Sequence, residues 1–195
     1  GYPVELGDAL VVATSGSTGN PKGAVLTHEA VEASAEATSA FLKVDPGQDK
    51  WLSCLPVSHV GGLSVICRAL HTGTPLEVHG SFDKDRVVVA AEHGATLTSL
   101  VPTAMERIDS SHFRRVLVGG SAVPAKRPIN VVTTYGMTET STHIGVRELY
   151  PNYEKYFTAL PGIKVRLNGA DCLVVDAPDI ASKPIVSNDL AEIKD

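Results

Sequence analysis

Residues 14–23 read Thr-Ser-Gly-Ser-Thr-Gly-Asn-Pro-Lys-Gly, and no other stretch constrains the chain so strongly. They follow an apolar run of strand length at 9–14 and precede an Ala-rich helical segment. Gly16, Gly19 and Gly23 remove side chains, so backbone N–H groups can approach an anion closely. Thr14, Ser15, Ser17 and Thr18 add hydroxyl donors, and Lys22 adds a positive charge suited to phosphate. Two common nucleotide motifs fail here. A Walker loop counted from Gly16 needs a second glycine where Pro21 stands, and Gly-x-Gly-x-x-Gly finds no match.

Around this loop, strands alternate with helices. Thr27 can cap a helix that runs to about residue 44, with Val31, Ala35, Thr38 and Leu42 on one face. Asp45-Pro46-Gly47 stops it. Residues 51–55 read as a buried strand, 62–71 as a helix closed by Gly73, and 86–93 as a helix stopped by Gly94. Short apolar strands follow at 96–100, 116–118 and 131–134. This order predicts an α/β fold of mostly parallel sheets flanked by helices. After Pro161 the pattern changes. Residues 164–167 alternate polar and apolar, 172–175 are apolar, and no helix separates them, which predicts a small antiparallel element. The expected division is an α/β nucleotide- and acid-binding core at 1–160 and the start of a β-rich subdomain at 161–195. Loops are expected at 123–130 and 176–183.

Composition removes several function classes. Of 195 residues 43% are hydrophobic and 20% charged, and the net charge is −5, which argues against a nucleic-acid footprint. No apolar run reaches the length of a membrane span. Residues 1–8 lack the charged and apolar regions of a signal peptide. Cys54, Cys67 and Cys172 are odd in number and far apart, so neither a disulfide framework nor a zinc knuckle follows. A cytoplasmic location is the expectation, and a homodimer is left open.

Further segments point to one family. The loop at 14–23 resembles the signature loop of the adenylate-forming superfamily: acyl-CoA synthetases, firefly luciferases and peptide-synthetase adenylation domains. Tyr135-Gly136-Met137-Thr138-Glu139-Thr140 resembles its second signature. The stretch from Leu55 to Leu63 resembles its Leu-Pro-x-x-His-x-x-Gly segment. Ser187-Asn188-Asp189-Leu190 is similar to its Thr-Gly-Asp-Leu segment, with Ser and Asn substituted. Shorter echoes lie at 101–103, 118–122 and 160–165.

The resemblance implies a reaction in two half-steps. A carboxylate attacks the α-phosphorus of ATP and pyrophosphate leaves; a thiol, expected to be coenzyme A, then attacks the acyl carbon and AMP leaves. It implies that Thr14, Ser15, Gly16, Ser17, Thr18, Gly19 and Lys22 hold ATP phosphates. Lys22, Thr138 and Glu139 would be the catalytic residues, with Glu139 a Mg²⁺ ligand beside substrate phosphates. Tyr135 offers a ring for adenine, with Gly119, Gly120, Ser121 and Gly136 close to the base. Asp189 would accept hydrogen bonds from the two ribose hydroxyls. His59, Gly120 and Gly136 would border the acyl group.

The small-molecule acid is suggested by Arg68. It lies nine residues after His59 among the apolar Val65, Ile66 and Leu70, where it could hold an anionic ligand group. The run His-x-x-Gly-x-x-x-x-x-Arg resembles o-succinylbenzoate–CoA ligases of menaquinone synthesis, whose substrate carries a second carboxylate. Fatty or aryl acids, transfer to a carrier protein, and a non-catalytic nucleotide-binding remnant stay open. The sequence has no counterpart of the family's C-terminal lid and its lysine, and the omission of segments from a longer protein is the preferred expectation. A kinase is disfavoured by the failed Walker test and the absence of His-Arg-Asp and Asp-Phe-Gly motifs.

Overall fold

The computed structural model describes residues 5–14, 22–124, 126–148 and 156–193. The chain opens with a hairpin, not with a single strand. Strand β1 (Asp8–Thr14) pairs antiparallel with β2 (Lys22–Thr27), with Thr14 opposite Lys22. The second strand was not expected from the sequence, which led from the loop straight into the helix. Helix α1 (His28–Leu42) then starts where Thr27 Oγ1 accepts from the Ala30 N–H at 3.1 Å. It ends at Lys43, in the left-handed conformation at φ 50°.

Next come β3 (Trp51–Ser53), α2 (Val60–Thr72), β4 (Leu76–Val78), α3 (Lys84–Glu92), β5 (Leu97–Leu100), α4 (Pro102–Met105), β6 (Arg115–Val118), β7 (Val131–Met137), β8 (Thr142–Arg147) and β9 (Thr158–Ala159). Among the described residues seven strands form one sheet in the order β4-β3-β5-β6-β7-β8-β9. Its first five members are parallel, as the alternation of strands and helices predicts, and β8 and β9 run antiparallel. β4, β8 and β9 had no sequence expectation.

Side chains alternate between the two faces of a strand, so each short apolar run feeds two cores. Leu52, Val116, Val118 and Val131 meet Val87 and Ala90 of α3. Trp51, Leu97, Leu117 and Val132 meet Leu42 of α1 and Val65 and Ala69 of α2. This double cover explains why successive residues of these strands are buried on both faces, Thr98, Ser99 and Thr133 included.

Strands β10 (Lys164–Leu167) and β11 (Cys172–Asp176) form the expected antiparallel pair, and β12 (Ile185–Leu190), not expected from the sequence as a strand, joins them in the order β10-β11-β12. Leu173 and Val175 of β11 pack with Ile144, Tyr135 and Met137, so the small sheet leans on the far end of β7 and on β8.

Candidate functional site

In an open α/β sheet, ligands gather where the carboxyl ends of parallel strands meet the loops that follow. The candidate residues converge on this edge. His59 closes the loop after β3 and stands at the N-cap of α2, exposed and without a side-chain capping bond. Gly119, Gly120 and Ser121 follow β6. Strand β6 ends at Val118, opposite Thr133, but β7 continues to Met137. Tyr135, Gly136 and Met137 therefore project beyond the body of the sheet.

The chain then folds through a single 3-10 turn, Thr138–Thr140. Thr140 Oγ1 donates to the Thr142 carbonyl at 2.9 Å and lies 3.1 Å from the Met137 N–H, so the turn is pinned at both ends. Glu139 stands exposed on its outer side, without an ion pair or hydrogen bond among the described residues. Strand β2 packs against this turn. Thr14 and exposed Lys22, which flank the glycine- and hydroxyl-rich stretch, thus belong to a hairpin that neighbours Thr138 and Glu139. Ser15, Gly16, Ser17, Thr18 and Gly19 lie outside the described residues.

Gly136 has a structural requirement of its own. A Cβ there would meet the Thr142 carbonyl oxygen, which belongs to the returning strand β8. Thr142 itself sits at φ 135°, a conformation that a β-branched residue rarely adopts. The tight crossing of β7 and β8 is thus bought with backbone strain beside the Glu139 turn.

Arg68 occupies the inner end of the site. Its position on α2 among apolar neighbours left burial or a surface location open, and it is 0% exposed. Its NH2 donates to Ser64 Oγ at 3.0 Å and Thr142 Oγ1 at 3.4 Å and lies 3.3 Å from His143 Nδ1; its NH1 reaches Ser99 Oγ at 3.4 Å. Its guanidinium carbon lies 5.6 Å from the Trp51 ring centroid. Its Nε has no hydrogen-bond partner, and no carboxylate forms an ion pair with it among the described residues. Burial pulls its pKa down to about 9, so at neutral pH it remains a cation. A buried cation that meets only hydroxyls, an imidazole and a ring has unspent capacity for an anion. A narrow cavity reaches it, bordered by Leu10, Leu26, Ser64 and Thr142.

His143 was not expected from the sequence. It stands on β8 between Arg68 and a second cavity of about 280 Å³, bordered by Ala37, Gly162 and Asp179. Burial first, and the Arg68 charge second, hold its imidazole well below its ordinary pKa. It is therefore neutral, and Nδ1, facing a donor, must accept. Ser64 could have been found four residues before Arg68 on a helix. Ser99, Thr142 and His143 come from β5 and β8, distant in sequence, and carry no such signal.

The adenine and ribose candidates also meet. Tyr135 Oη donates to Asp189 Oδ2 at 2.5 Å, and the Asp189 N–H donates to Ser187 Oγ at 3.0 Å. Burial, and then the Asp189 carboxylate, push the Tyr135 phenol up to about 12. Asn188, where the family segment has glycine, is absent from the left-handed residues, so its backbone requires no glycine.

Among the described residues the chain combines a mostly parallel sheet covered on both faces, an antiparallel extension and a small β-sheet at its end. The fold is similar to an acyl-CoA synthetase (AMP-forming)/AMP-acid ligase II-like protein from Dyadobacter fermentans, with TM-score 0.81 and 28% identity, over 95% of this chain and 57% of that one. A double mutant of o-succinylbenzoate CoA synthetase from Bacillus subtilis, bound with its product analogue, matches with TM-score 0.80 and 25% identity, over 89% of this chain and 41% of that one. The profile of the AMP-binding enzyme family matches residues 5–184, and the chain belongs to that family. In sequence it is 34% identical over 151 residues to 2-succinylbenzoate–CoA ligase of Listeria monocytogenes, a match covering 70% of this chain and 32% of the relative. The chain thus spans about a third of the length of the curated relatives it matches. No helix among the described residues is long and apolar enough to cross a membrane.

Proposed function

We propose that the chain is the nucleotide- and acid-binding part of an AMP-forming acid–thiol ligase, residues 1–160 forming its core and 161–195 the start of a β-rich subdomain. Its substrates on this reading are ATP, coenzyme A and o-succinylbenzoate, the acid of menaquinone synthesis. The observation that carries the choice of acid is Arg68: fully buried, cationic and without a carboxylate partner among the described residues. Only a ligand that brings its own negative charge would neutralise it, and a dicarboxylate has one carboxylate to spare. The names of the curated relatives support the same acid.

The far carboxylate docks on Arg68, helped by the hydroxyls of Ser64, Ser99 and Thr142. The reacting carboxylate, bordered by His59, Gly120 and Gly136, attacks the α-phosphorus, and pyrophosphate leaves. No general base is needed, since a carboxylic acid is already ionised at neutral pH. Lys22 and the loop hydroxyls take the negative charge of the phosphates, and Thr138 takes an α-phosphate oxygen. The exposed carboxylate of Glu139, unbonded among the described residues, is a hard oxygen donor that would suit Mg²⁺. Held there, Mg²⁺ would supply positive charge to offset that of the departing pyrophosphate. In the second half-step the thiol sulfur bonds to the acyl carbon, the thiol proton is lost and AMP departs. Three free cysteines, Cys54, Cys67 and Cys172, support a reducing cytoplasm.

The test compares o-succinylbenzoate with 4-oxo-4-phenylbutanoate, which keeps the ring and succinyl chain and lacks the ring carboxylate. Acyl-sulfamoyl-adenosine mimics of both are titrated by calorimetry, and pyrophosphate release is followed with Mg·ATP. A preference of about tenfold or more for the dicarboxylate is expected, the scale of one charged hydrogen-bonded contact. Equal binding of the two mimics would remove the assignment of the acid.

A further inference from the structure

The hydrogen bond between Tyr135 and Asp189 joins the projecting end of β7 to the outer strand β12, and Ser187 of the same strand also interacts with the Tyr135 hydroxyl. It also fixes the direction of a carboxylate. Asp189 is exposed, and an exposed aspartate ordinarily samples several rotamers. Here its backbone N–H donates to Ser187 Oγ at 3.0 Å and one carboxylate oxygen accepts a hydrogen bond from the Tyr135 hydroxyl at 2.5 Å. Ser187 is buried, so this anchor is rigid. A carboxylate has about four acceptor positions, so one bond from Tyr135 leaves room for two more donors. The half-buried Tyr135 ring is itself held, with Phe157 tilted against it at 6.0 Å between centroids.

We propose that the Tyr135 hydroxyl is a positioning group that aims the Asp189 carboxylate at the paired ribose hydroxyls of ATP. One residue would then serve the nucleotide twice, its ring under the base and its hydroxyl behind the ribose acceptor. This rests on the nucleotide placement proposed above and adds a role for an atom that stacking does not use. The phenol stays protonated throughout the physiological range and so remains a donor. Ser187 supplies the second constraint, through its bond to the Asp189 N–H.

Binding of ATP and 2′-deoxy-ATP to the parent chain, Tyr135→Phe and Ser187→Ala tests this, with the ratio of the two dissociation constants as the readout. Tyr135→Phe keeps the ring and removes only the hydroxyl. The parent should prefer ATP by about tenfold or more, the loss expected when a charged acceptor is deprived of a donor. Tyr135→Phe should narrow that ratio at least about threefold, and Ser187→Ala, which leaves the Tyr135 side chain in place, should narrow it in the same direction. A parent that binds both nucleotides equally would sink the nucleotide placement itself. A parent that discriminates, with Tyr135→Phe discriminating just as well, would overturn this inference alone. Should Tyr135→Phe not fold, an undiminished ratio in Ser187→Ala overturns it instead.

Discussion

The Arg68 guanidinium donates toward His143 Nδ1 across 3.3 Å, so a buried cation leans on a neutral imidazole. Protonating that ring would set two positive charges face to face. The imidazole is harder to protonate folded than unfolded, its folded pKa lying well below 6.5. Such a group gives stability that is complete above 6.5 and is lost as pH falls through that value toward the folded one. The melting temperature should therefore drop between about pH 7 and pH 5, and His143→Gln should flatten that part of the profile. Parallel slopes in both proteins would disprove it.

Arg68→Met is expected to separate stability from selectivity. A buried ion replaced by an apolar side chain of similar volume is often neutral or stabilising. The variant should melt no lower than the parent, yet lose its preference for the dicarboxylate mimic over the monocarboxylate. Melting curves and the calorimetric pair of acids read both effects in one preparation. A lower melting point with selectivity retained would mean that Arg68 is purely structural.

Asp49 is 4% exposed and takes a two-pronged bond from Arg114, Nε at 2.9 Å and NH2 at 2.7 Å, while Arg114 NH1 donates to the Leu42 carbonyl. Burial disfavours the charged carboxyl, but bonds from Arg114, the Asp45 N–H and Thr96 outweigh it and leave its pKa lowered. Arg114→Ala strands a buried carboxylate and should cost about 3 kcal/mol, the low end for a broken buried pair because Arg114 is 40% exposed. The stability that Asp49 contributes is present above 3.8 and is lost as pH falls through its lowered folded value. Denaturant titrations at neutral and acidic pH should show the Arg114→Ala penalty shrinking in acid.

Glu139→Gln should leave folding unchanged, because the side chain is exposed and bonds to nothing among the described residues. Its effect should fall on the metal. The thermal shift produced by Mg·ATP should shrink toward that of ATP with chelator, and pyrophosphate release should fall steeply. A variant whose Mg·ATP response matches the parent's removes Glu139 as a metal ligand.

Lys43 closes α1 at φ 50° and ψ 55° with its side chain exposed. Glycine adopts this conformation without steric cost. Lys43→Gly should therefore raise stability by about 0.5–1 kcal/mol, net of the entropy glycine adds to the unfolded chain. At this size that corresponds to a melting shift of about 1–4 °C. A fall would show that the lysine stem packs on its surroundings.

The parallel body was legible because its signals are local. Thr27 marked the start of α1, Gly73 and Gly94 marked helix ends, and short runs rich in Leu and Val marked the strands covered on both faces. β2 was missed because Lys22–Thr27 follows a glycine- and proline-rich loop and reads as a lead-in to the helix. β8 was missed because Thr142–Arg147 mixes polar and apolar residues, and its pairing with β7 is set by the strained crossing at Gly136 and Thr142. Among site residues, Arg68 and Asp189 carried family-like neighbours. Ser99 and His143 reach Arg68 only through sheet pairing, which linear spacing does not encode.

Strand β7 runs from the core to the tip that bears Tyr135 and, past a shift in its pairing with β8 and one turn on, Glu139. On the proposed reading, the base platform and the metal acid are therefore locked to a common ruler, and neither can drift without dragging the other. Arg68 hangs from a separate helix that approaches from the sheet's flank. On the proposed reading, exchanging one α2 side chain would retune which acid is admitted while the nucleotide grip stays in calibration, so diversification among such ligases would concentrate on that helix.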